Sequence, residues 1–191
     1  MNTSAPSRAT IVEFLADILR RRGAESYLGE NVTMSQHMLQ AAYLAEEEGA
    51  SDELVAAALL HDIGHYTNEF PEDAQDRGID NRHQISGAAV LAPFFPPAVT
   101  ECVRQHVDAK RYLCAVDPEY FGRLSAASVL TLKLQGGPMD EDEVAAFRAN
   151  PLLDSIVRVR IWDEGAKVAG RTTPSFAHYE PLLRRVVARA G

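Results

Sequence analysis

The chain has 191 residues, of which 46% are hydrophobic and 24% are charged, and its net charge at pH 7 is −8. This length and composition are typical of one globular domain, because domains usually contain about 100–200 residues. A protein this acidic does not hold nucleic acid or an anionic membrane by bulk charge, so an anionic ligand must meet cations that are gathered locally. We therefore expect no nucleic-acid partner.

Cysteine content and hydropathy give two further expectations. The two cysteines, Cys102 and Cys114, form no CxxC pair, and so few thiols in a chain of this length are typical of a reducing compartment. The first apolar stretch, 11–19, is interrupted by Glu13 and Asp17, and no run reaches the roughly 18 apolar residues of a membrane span. We expect a cytoplasmic protein with no membrane partner and no targeting segment.

Helix-start and helix-stop signals divide the first half of the chain into five predicted helices. Each begins at a capping residue or at a proline. The predicted starts are the capping boxes Thr10-x-x-Glu13 and Thr33-x-x-Gln36, the cap Ser51, and the positions Asn81 and Pro97. Gly23 and Gly49 are the predicted stops of the first two helices, because glycine commonly follows a helix C-terminus.

The second half of the chain contains four further start signals and almost no strand alternation. These signals are Asp117-Pro118, Asp140-x-x-Glu143, Asn150-Pro151 and Pro174. The sequence therefore predicts an all-α domain of about nine helices, one of which begins at Asn150. The long irregular stretch is Tyr66–Asp80, and loops of that length are often functional.

The most distinctive motif is Leu59-Leu60-His61-Asp62-Ile63-Gly64-His65, which places an adjacent histidine and aspartate at the end of an apolar helix. Neighbouring helix residues point about 100° apart, so His61 and Asp62 can face one pocket only where the helix ends or bends, and Gly64 permits a bend. Three further histidines lie on three other predicted helices, which is how metal sites in helical bundles are assembled. They are His37, His83 and His106.

These residue types indicate which metals would bind. A single histidine on a helix is more often a hydrogen-bonded, partly buried residue than a ligand, but four beside an aspartate favour a metal site. Imidazole and carboxylate together suit iron, zinc, manganese or nickel better than magnesium or calcium. The two oxygens of Asp62 can each bind a metal. Asp163 is a further candidate ligand, although an isolated aspartate near a helix end is ordinarily solvated.

The histidines and aspartates resemble the H…HD…D signature of the HD-domain superfamily, most of whose members are metal-dependent phosphohydrolases. Within it, the chain is similar to the small mixed-valent diiron oxygenases of the PhnZ type, which cleave carbon–phosphorus bonds. The resemblance runs from Tyr27 to about His178 and is carried by the stretches 57–66, 106–113, 135–140 and 162–164. It implies a single HD domain over 1–191, a helical bundle with a dinuclear metal site at its centre, and a flexible N-terminus at 1–8.

The resemblance also implies roles for individual residues. One iron would be held by His37, His61 and Asp163 and the other by His83 and His106, with Asp62 bridging both. The implied catalytic residues are His61, Asp62, Tyr27 and Glu30, and the implied substrate contacts are His65, Lys110, Ser128, Gln135 and Arg160. Two plainer interpretations stay open, with Tyr27 as an aromatic residue packed on the surface and Lys110 as part of an exposed helix end.

The implied reaction is iron- and O2-dependent oxidative cleavage of the C–P bond of a 1-hydroxy-2-amino- or 1-hydroxy-2-(trimethylammonio)ethylphosphonate, giving phosphate and glycine or glycine betaine. The cofactors would be two iron ions in a mixed-valent Fe(II)/Fe(III) state, with O2 as co-substrate and an upstream phosphonate hydroxylase as functional partner. The substrate nitrogen needs an anion or an aromatic face, for which Glu30 and the acidic run 140–143 are candidates.

Two other functions are compatible with the same ligands. The first is a metal-dependent HD phosphohydrolase that acts on a nucleotide or another phosphoester through metal-bound hydroxide. The second is a helical regulatory module in which the metal is only structural, and such sites are usually closed to further ligands. The dependence of phosphate release on O2 distinguishes the oxygenase from the hydrolase.

Overall fold

A computed structural model describes residues 6–27, 29–67 and 82–190. Eleven helices occur in these ranges, which confirms the all-α prediction, and the described residues contain no β-strand beyond one isolated bridge between Ser26 and Thr33. The helices are α1 (Ile11–Arg22), α2 (Met34–Glu47), α3 (Asp52–Leu60), α4 (Gly64–Thr67), α5 (His83–Leu91), α6 (Pro97–Val116), α7 (Tyr120–Arg123), α8 (Ala126–Leu134), α9 (Glu141–Arg148), α10 (Leu153–Gly165) and α11 (Phe176–Arg189). The two helices beyond the predicted nine are α4 and α8.

Side-chain caps fix three of the predicted helix starts. Thr33 and Gln36 form a reciprocal capping box at α2, and the Ser51 hydroxyl accepts a hydrogen bond from the backbone N–H of Leu54 at α3. Asp140 and its partner three residues on form the same box at α9. The capping box predicted at Thr10 is wrong, because the Thr10 hydroxyl accepts from the N–H of Ser7 at 2.9 Å instead.

Two predicted helix starts need correction, and a third lies outside the described residues. The helices predicted to start at Asp117 and Asn150 begin three residues later, because each of these side chains accepts a hydrogen bond from the N–H two residues on and so forms a turn before the helix. The predicted start Asn81 and the loop from residue 68 onward lie outside the described residues. Of the predicted flexible N-terminus, only residues 6–8 are described, and Arg8 there donates to the carbonyl of Ala190 at 2.8 Å.

The short helix α3 lies at the centre of the bundle. It packs against α2, α6, α10 and α11, and every residue from Leu54 to Leu60 is buried. Three consecutive alanines, 56–58, let the neighbouring helices approach closely, since interhelical distance depends on the side chains at the contact. The C-terminal end of α3 therefore brings His61 and Asp62 into the middle of the molecule.

The apolar residues of these helices form a core inside the bundle. One continuous cluster of buried apolar residues extends from α1 to α11. Within the part of the chain that the structure describes, no helix combines the length and the apolar content that a membrane crossing requires.

Candidate metal centre

The six residues considered as metal ligands lie together at the centre of the bundle, and none is more than 6% exposed. Each histidine comes from a different helix or helix end. His37 lies in α2, His61 directly after α3, His83 at the first position of α5, His106 in α6, and Asp62 and Asp163 complete the set from the α3–α4 turn and from α10.

A close approach of two helices at Gly64 brings His83 to Asp62. A Cβ atom on Gly64 would lie 1.8 Å from the carbonyl oxygen of His83, so only glycine allows α4 to pack this tightly on the start of α5. The result is a distance of 3.2 Å between His83 Nε2 and Asp62 Oδ1. Gly64, where a bend is expected, is therefore also the residue against which the start of α5 packs.

The first group of ligand atoms surrounds one oxygen of Asp62. His37 Nε2 and His61 Nε2 lie 2.9 Å apart. Asp62 Oδ2 is 3.5 Å from His37 Nε2 and 3.4 Å from His61 Nε2, and Asp163 Oδ1 is 3.3 Å and 3.7 Å from the same two atoms. Each of the two nitrogens thus lies within 3.7 Å of one oxygen of Asp62 and one oxygen of Asp163.

The second group surrounds the other oxygen of the same aspartate. His83 Nε2 and His106 Nε2 lie 3.1 Å apart, and Asp62 Oδ1 is 3.2 Å and 3.5 Å from them. The two oxygens of Asp62 therefore face different pairs of histidines. This is the arrangement that a carboxylate bridging two metal ions requires.

Backbone carbonyls orient three of the four imidazole rings. The bonds run from the Nδ1 atoms to carbonyl oxygens and are His37–Ala166 at 3.0 Å, His61–Ala58 at 2.8 Å and His106–Val103 at 2.8 Å. Because a carbonyl only accepts, the proton of each ring lies on Nδ1, and Nε2 points its lone pair into the site. The lone pairs of His37 and His61, whose Nε2 atoms lie 2.9 Å apart, need a positive centre between them.

The ligand distances and the charges fit a bound metal. Two ligand atoms that each lie about 2.1 Å from one metal, at right angles, are about 3.0 Å apart, and the two Nε2–Nε2 distances are 2.9 and 3.1 Å. Burial opposes the charged form of Asp62, but His61 and hydrogen bonds hold its pKa well below the usual range. Burial also opposes charge on His61, yet the carboxylates of Asp62 and Asp163 raise its pKa to about 10. The cluster thus binds positive charge, as a proton or as a metal ion.

Arg160 holds Asp163 in position. Its guanidinium donates to Asp163 Oδ2, to Glu164 and, at 2.7 Å, to the hydroxyl of Tyr120. This leaves Asp163 Oδ1 directed at the two histidines and without a hydrogen-bond partner among the described residues. The Arg160 guanidinium overcomes the effect of burial and holds the pKa of Asp163 well below its usual range.

Tyr27 lies against the first group of ligands, and Glu30 lines the pocket next to the metal site together with Tyr27. The Tyr27 ring is buried and stacks on the His37 ring with centroids 3.9 Å apart, so the interpretation as a surface aromatic is wrong. Burial, reinforced by Asp62, raises the pKa of the Tyr27 phenol well above 10, so the group is neutral. One carboxylate oxygen of Glu30 is buried and unpartnered within the described part of the chain.

One pocket opens onto the second group, and all five residues predicted to contact substrate line it. Besides metal ligands, its walls contain Tyr27, Glu30, His65, Val107, Lys110, Ala127, Ser128, Thr131, Gln135, Arg160 and Lys167. The acidic run 140–143 does not line this pocket. It forms the start of α9, where Glu143 pairs with Arg111 at 2.8 Å, so its predicted role beside the substrate nitrogen is wrong.

Lys110 is a buried side chain of the pocket and not part of an exposed helix end. It is 3% exposed, and its ammonium donates to the Thr131 hydroxyl at 2.8 Å. Burial, together with the nearby Arg160, lowers the pKa of Lys110 to about 7. Burial likewise lowers the pKa of His65 to about 3, so that ring is neutral.

Sequence reasoning assigned no role to Thr131 and Lys167, which line this pocket, or to Glu164, which pairs with Lys167. Thr131 lies three positions after Ser128 and hence on the same face of α8, a spacing that could have revealed it. Glu164 follows Asp163 directly, within a stretch that carried the family resemblance. Lys167 lies beyond the end of α10, where helical spacing gives no signal.

Comparisons with known proteins show which family the chain belongs to. A family model described as the HD domain matches residues 34–150. A glycine-betaine-forming 1-hydroxy-2-(trimethylamino)ethylphosphonate dioxygenase of Leisingera caerulea is 53% identical over 186 residues, which are 97% of this chain and 95% of the relative. A hydroxymethylphosphonate dioxygenase of Gimesia maris is 45% identical over 169 residues, which are 88% and 84% of the two chains. The chain therefore belongs to the HD-domain family, among its oxygenases of the PhnZ type.

Proposed function

We propose that this enzyme cleaves the C–P bond of 1-hydroxy-2-(trimethylammonio)ethylphosphonate with O2, giving phosphate and glycine betaine, and that the 2-amino analogue, which would give glycine, is the second substrate to test. One observation carries the proposal, namely that the two oxygens of Asp62 face two separate pairs of histidines beside a pocket with buried cations. The relative from Leisingera caerulea carries the trimethylamino activity in its name.

The proposed cofactor is a pair of iron ions in the mixed-valent Fe(II)/Fe(III) state. One ion would be held by His37, His61 and Asp163 and the other by His83 and His106, with Asp62 shared between them. When bound, the irons supply dioxygen activation and the redox chemistry of the reaction. The products contain two oxygen atoms more than the hydroxyphosphonate, which corresponds to one molecule of O2.

The protein supplies binding, orientation and exclusion of water. The Lys110 ammonium and the neutral His65 ring lie in the pocket wall, where they would hold the phosphonate beside the second group of ligands. The unpartnered oxygen of Glu30 would face the cationic nitrogen end of the substrate. The Tyr27 ring stacks on His37, so its phenol would be able to occupy an open position at the metal site until substrate displaces it.

The test is phosphate release from iron-loaded protein, with and without O2. The substrates are 1-hydroxy-2-(trimethylammonio)ethylphosphonate, its 2-amino analogue and hydroxymethylphosphonate. A simple phosphoester, p-nitrophenyl phosphate, is tested beside them. We expect release that requires both iron and O2 and that is fastest with the trimethylammonio compound. Release from the phosphoester without O2, and none from the hydroxyphosphonates, would identify a phosphohydrolase instead.

Three broader features belong to the same proposal. The chain forms one domain over 1–191, since α1 and α11, outside the matched residues 34–150, share the core with the other helices. The protein works in the cytoplasm, in keeping with its two free cysteines. Because the substrate carries a hydroxyl on the carbon bonded to phosphorus, a phosphonate hydroxylase must act before this enzyme.

A further inference from the structure

The pocket contains a cation beyond those expected to bind substrate. Three lysine and arginine side chains of the described residues line it, namely Lys110, Arg160 and Lys167. The Arg160 guanidinium donates to three acceptors of the protein itself. Its main task is therefore to orient its neighbours, and the two lysines are the cations best able to donate to a ligand.

Lys167 is held in the pocket wall by two good acceptors. Its Nζ lies 2.8 Å from Ser128 Oγ and 2.8 Å from Glu164 Oε2, and its side chain is 9% exposed. An ammonium group has three hydrogens. The remaining described acceptor, Ser125 Oγ, lies 3.5 Å away, at the limit of a hydrogen bond, so the third hydrogen can be given to a ligand in the pocket.

Helix α8 places the two ammonium groups on the same side of the pocket. Lys167 donates to Ser128, and Lys110 donates to Thr131, which lies one helical turn further on. Residues three apart on a helix have Cβ atoms about 5–6 Å from each other. After burial and Arg160, repulsion from Lys167 is among the causes that lower the pKa of Lys110, which agrees with this proximity. An anion bound between them would relieve the repulsion.

Ser128 has little to donate to a ligand directly. Its hydroxyl gives its hydrogen to Glu164 Oε2 at 3.0 Å and accepts from Lys167. Glu164 in turn accepts from the backbone N–H of Ser125 at 3.1 Å, which attaches it to the start of α8. Ser128 and Glu164 therefore orient Lys167.

We propose that Lys167 is a second phosphonate-binding residue, and that its ammonium and that of Lys110 bind the same dianionic phosphonate group. The proposal rests on the proposed function for the identity of the ligand. It assigns Ser128 and Glu164 as positioning residues, which act on the substrate through Lys167.

The test measures binding separately from turnover. Methylphosphonate is titrated calorimetrically into zinc-loaded protein, which is redox-inert. We expect Lys167→Met to weaken binding about 10- to 100-fold, as for loss of a hydrogen bond between charged groups, and Lys167→Arg to restore part of it. In the iron enzyme, Lys167→Met should raise KM by a similar factor and change kcat less. Lys133→Met, which removes the same charge from an exposed position of α8, is the control and should leave binding unchanged.

The possible results separate the two proposals. If folded Lys167→Met, checked by circular dichroism, binds methylphosphonate as tightly as Lys133→Met, the role of Lys167 is wrong even if the wild type releases phosphate. If binding depends on Lys167 but no hydroxyphosphonate is cleaved under O2, the phosphonate site stands and the proposed oxygenase function fails.

Discussion

Replacing Gly64 with alanine tests how the second group of ligands is built. The added Cβ would lie 1.8 Å from the carbonyl oxygen of His83, whereas ordinary contact begins at 3.4 Å, so α4 and α5 must separate by about 1.6 Å. Metal sites tolerate ligand displacements of only about 0.2 Å. We therefore expect Gly64→Ala to lose the metal held by His83 while His37 and His61 keep theirs, and to lose about 1–3 kcal/mol of stability from overpacking.

The assay is iron content per chain after anaerobic reconstitution, together with O2-dependent phosphate release and thermal unfolding. Iron should fall from about two ions to about one, and turnover should be lost. Two glycines give matched controls. A Cβ on Gly87 meets Gly64 at 3.1 Å and should have a small effect, and one on Gly122 meets nothing within 4 Å and should have none. Two bound irons and wild-type turnover in Gly64→Ala would refute the reasoning.

Three further predictions follow from single residues. Asp62→Ala should lose both irons and all turnover, because its two oxygens serve both groups, and retention of iron in elemental analysis would contradict this. Lys110 is charged below its pKa of about 7, so kcat/KM should fall as pH rises through that value, and Lys110→Arg should move this limb to higher pH. Arg111→Ala removes bonds to the Gly137 carbonyl and to Glu143, and should cost about 1–2 kcal/mol in urea unfolding. An unchanged urea midpoint for Arg111→Ala, or an unchanged pH profile for Lys110→Arg, would count against the assigned contacts.

Local sequence rules predicted the features that depend on local chemistry. The caps at Thr33, Ser51 and Asp140 form as expected, since each side chain reaches a backbone N–H only a few positions away. The same rules failed where a second acceptor or donor competed. Thr10 bonds Ser7 rather than the helix, and Asn150 forms a turn that delays the start of α10.

The residues around the pocket were predictable to different degrees. Histidines and an adjacent aspartate are rare enough in sequence to mark a metal site, and they do converge in the structure. Lys167 follows the end of α10, and its position depends on a hydrogen bond to Ser128 of α8 that no local pattern encodes. The charge run 140–143 suggested a binding surface, but its carboxylates cap a helix and pair with Arg111.

The carbonyl bonds that orient His37, His61 and His106 have a consequence for how substrate preference can change. Their acceptors belong to the main chain, so replacing a side chain in the pocket wall leaves the three rings pointing as before. The substrate end of the pocket, by contrast, is built from side chains such as Glu30 and Gln135. Exchange of a few side chains can thus admit a smaller or larger hydroxyphosphonate while the same metal centre is retained.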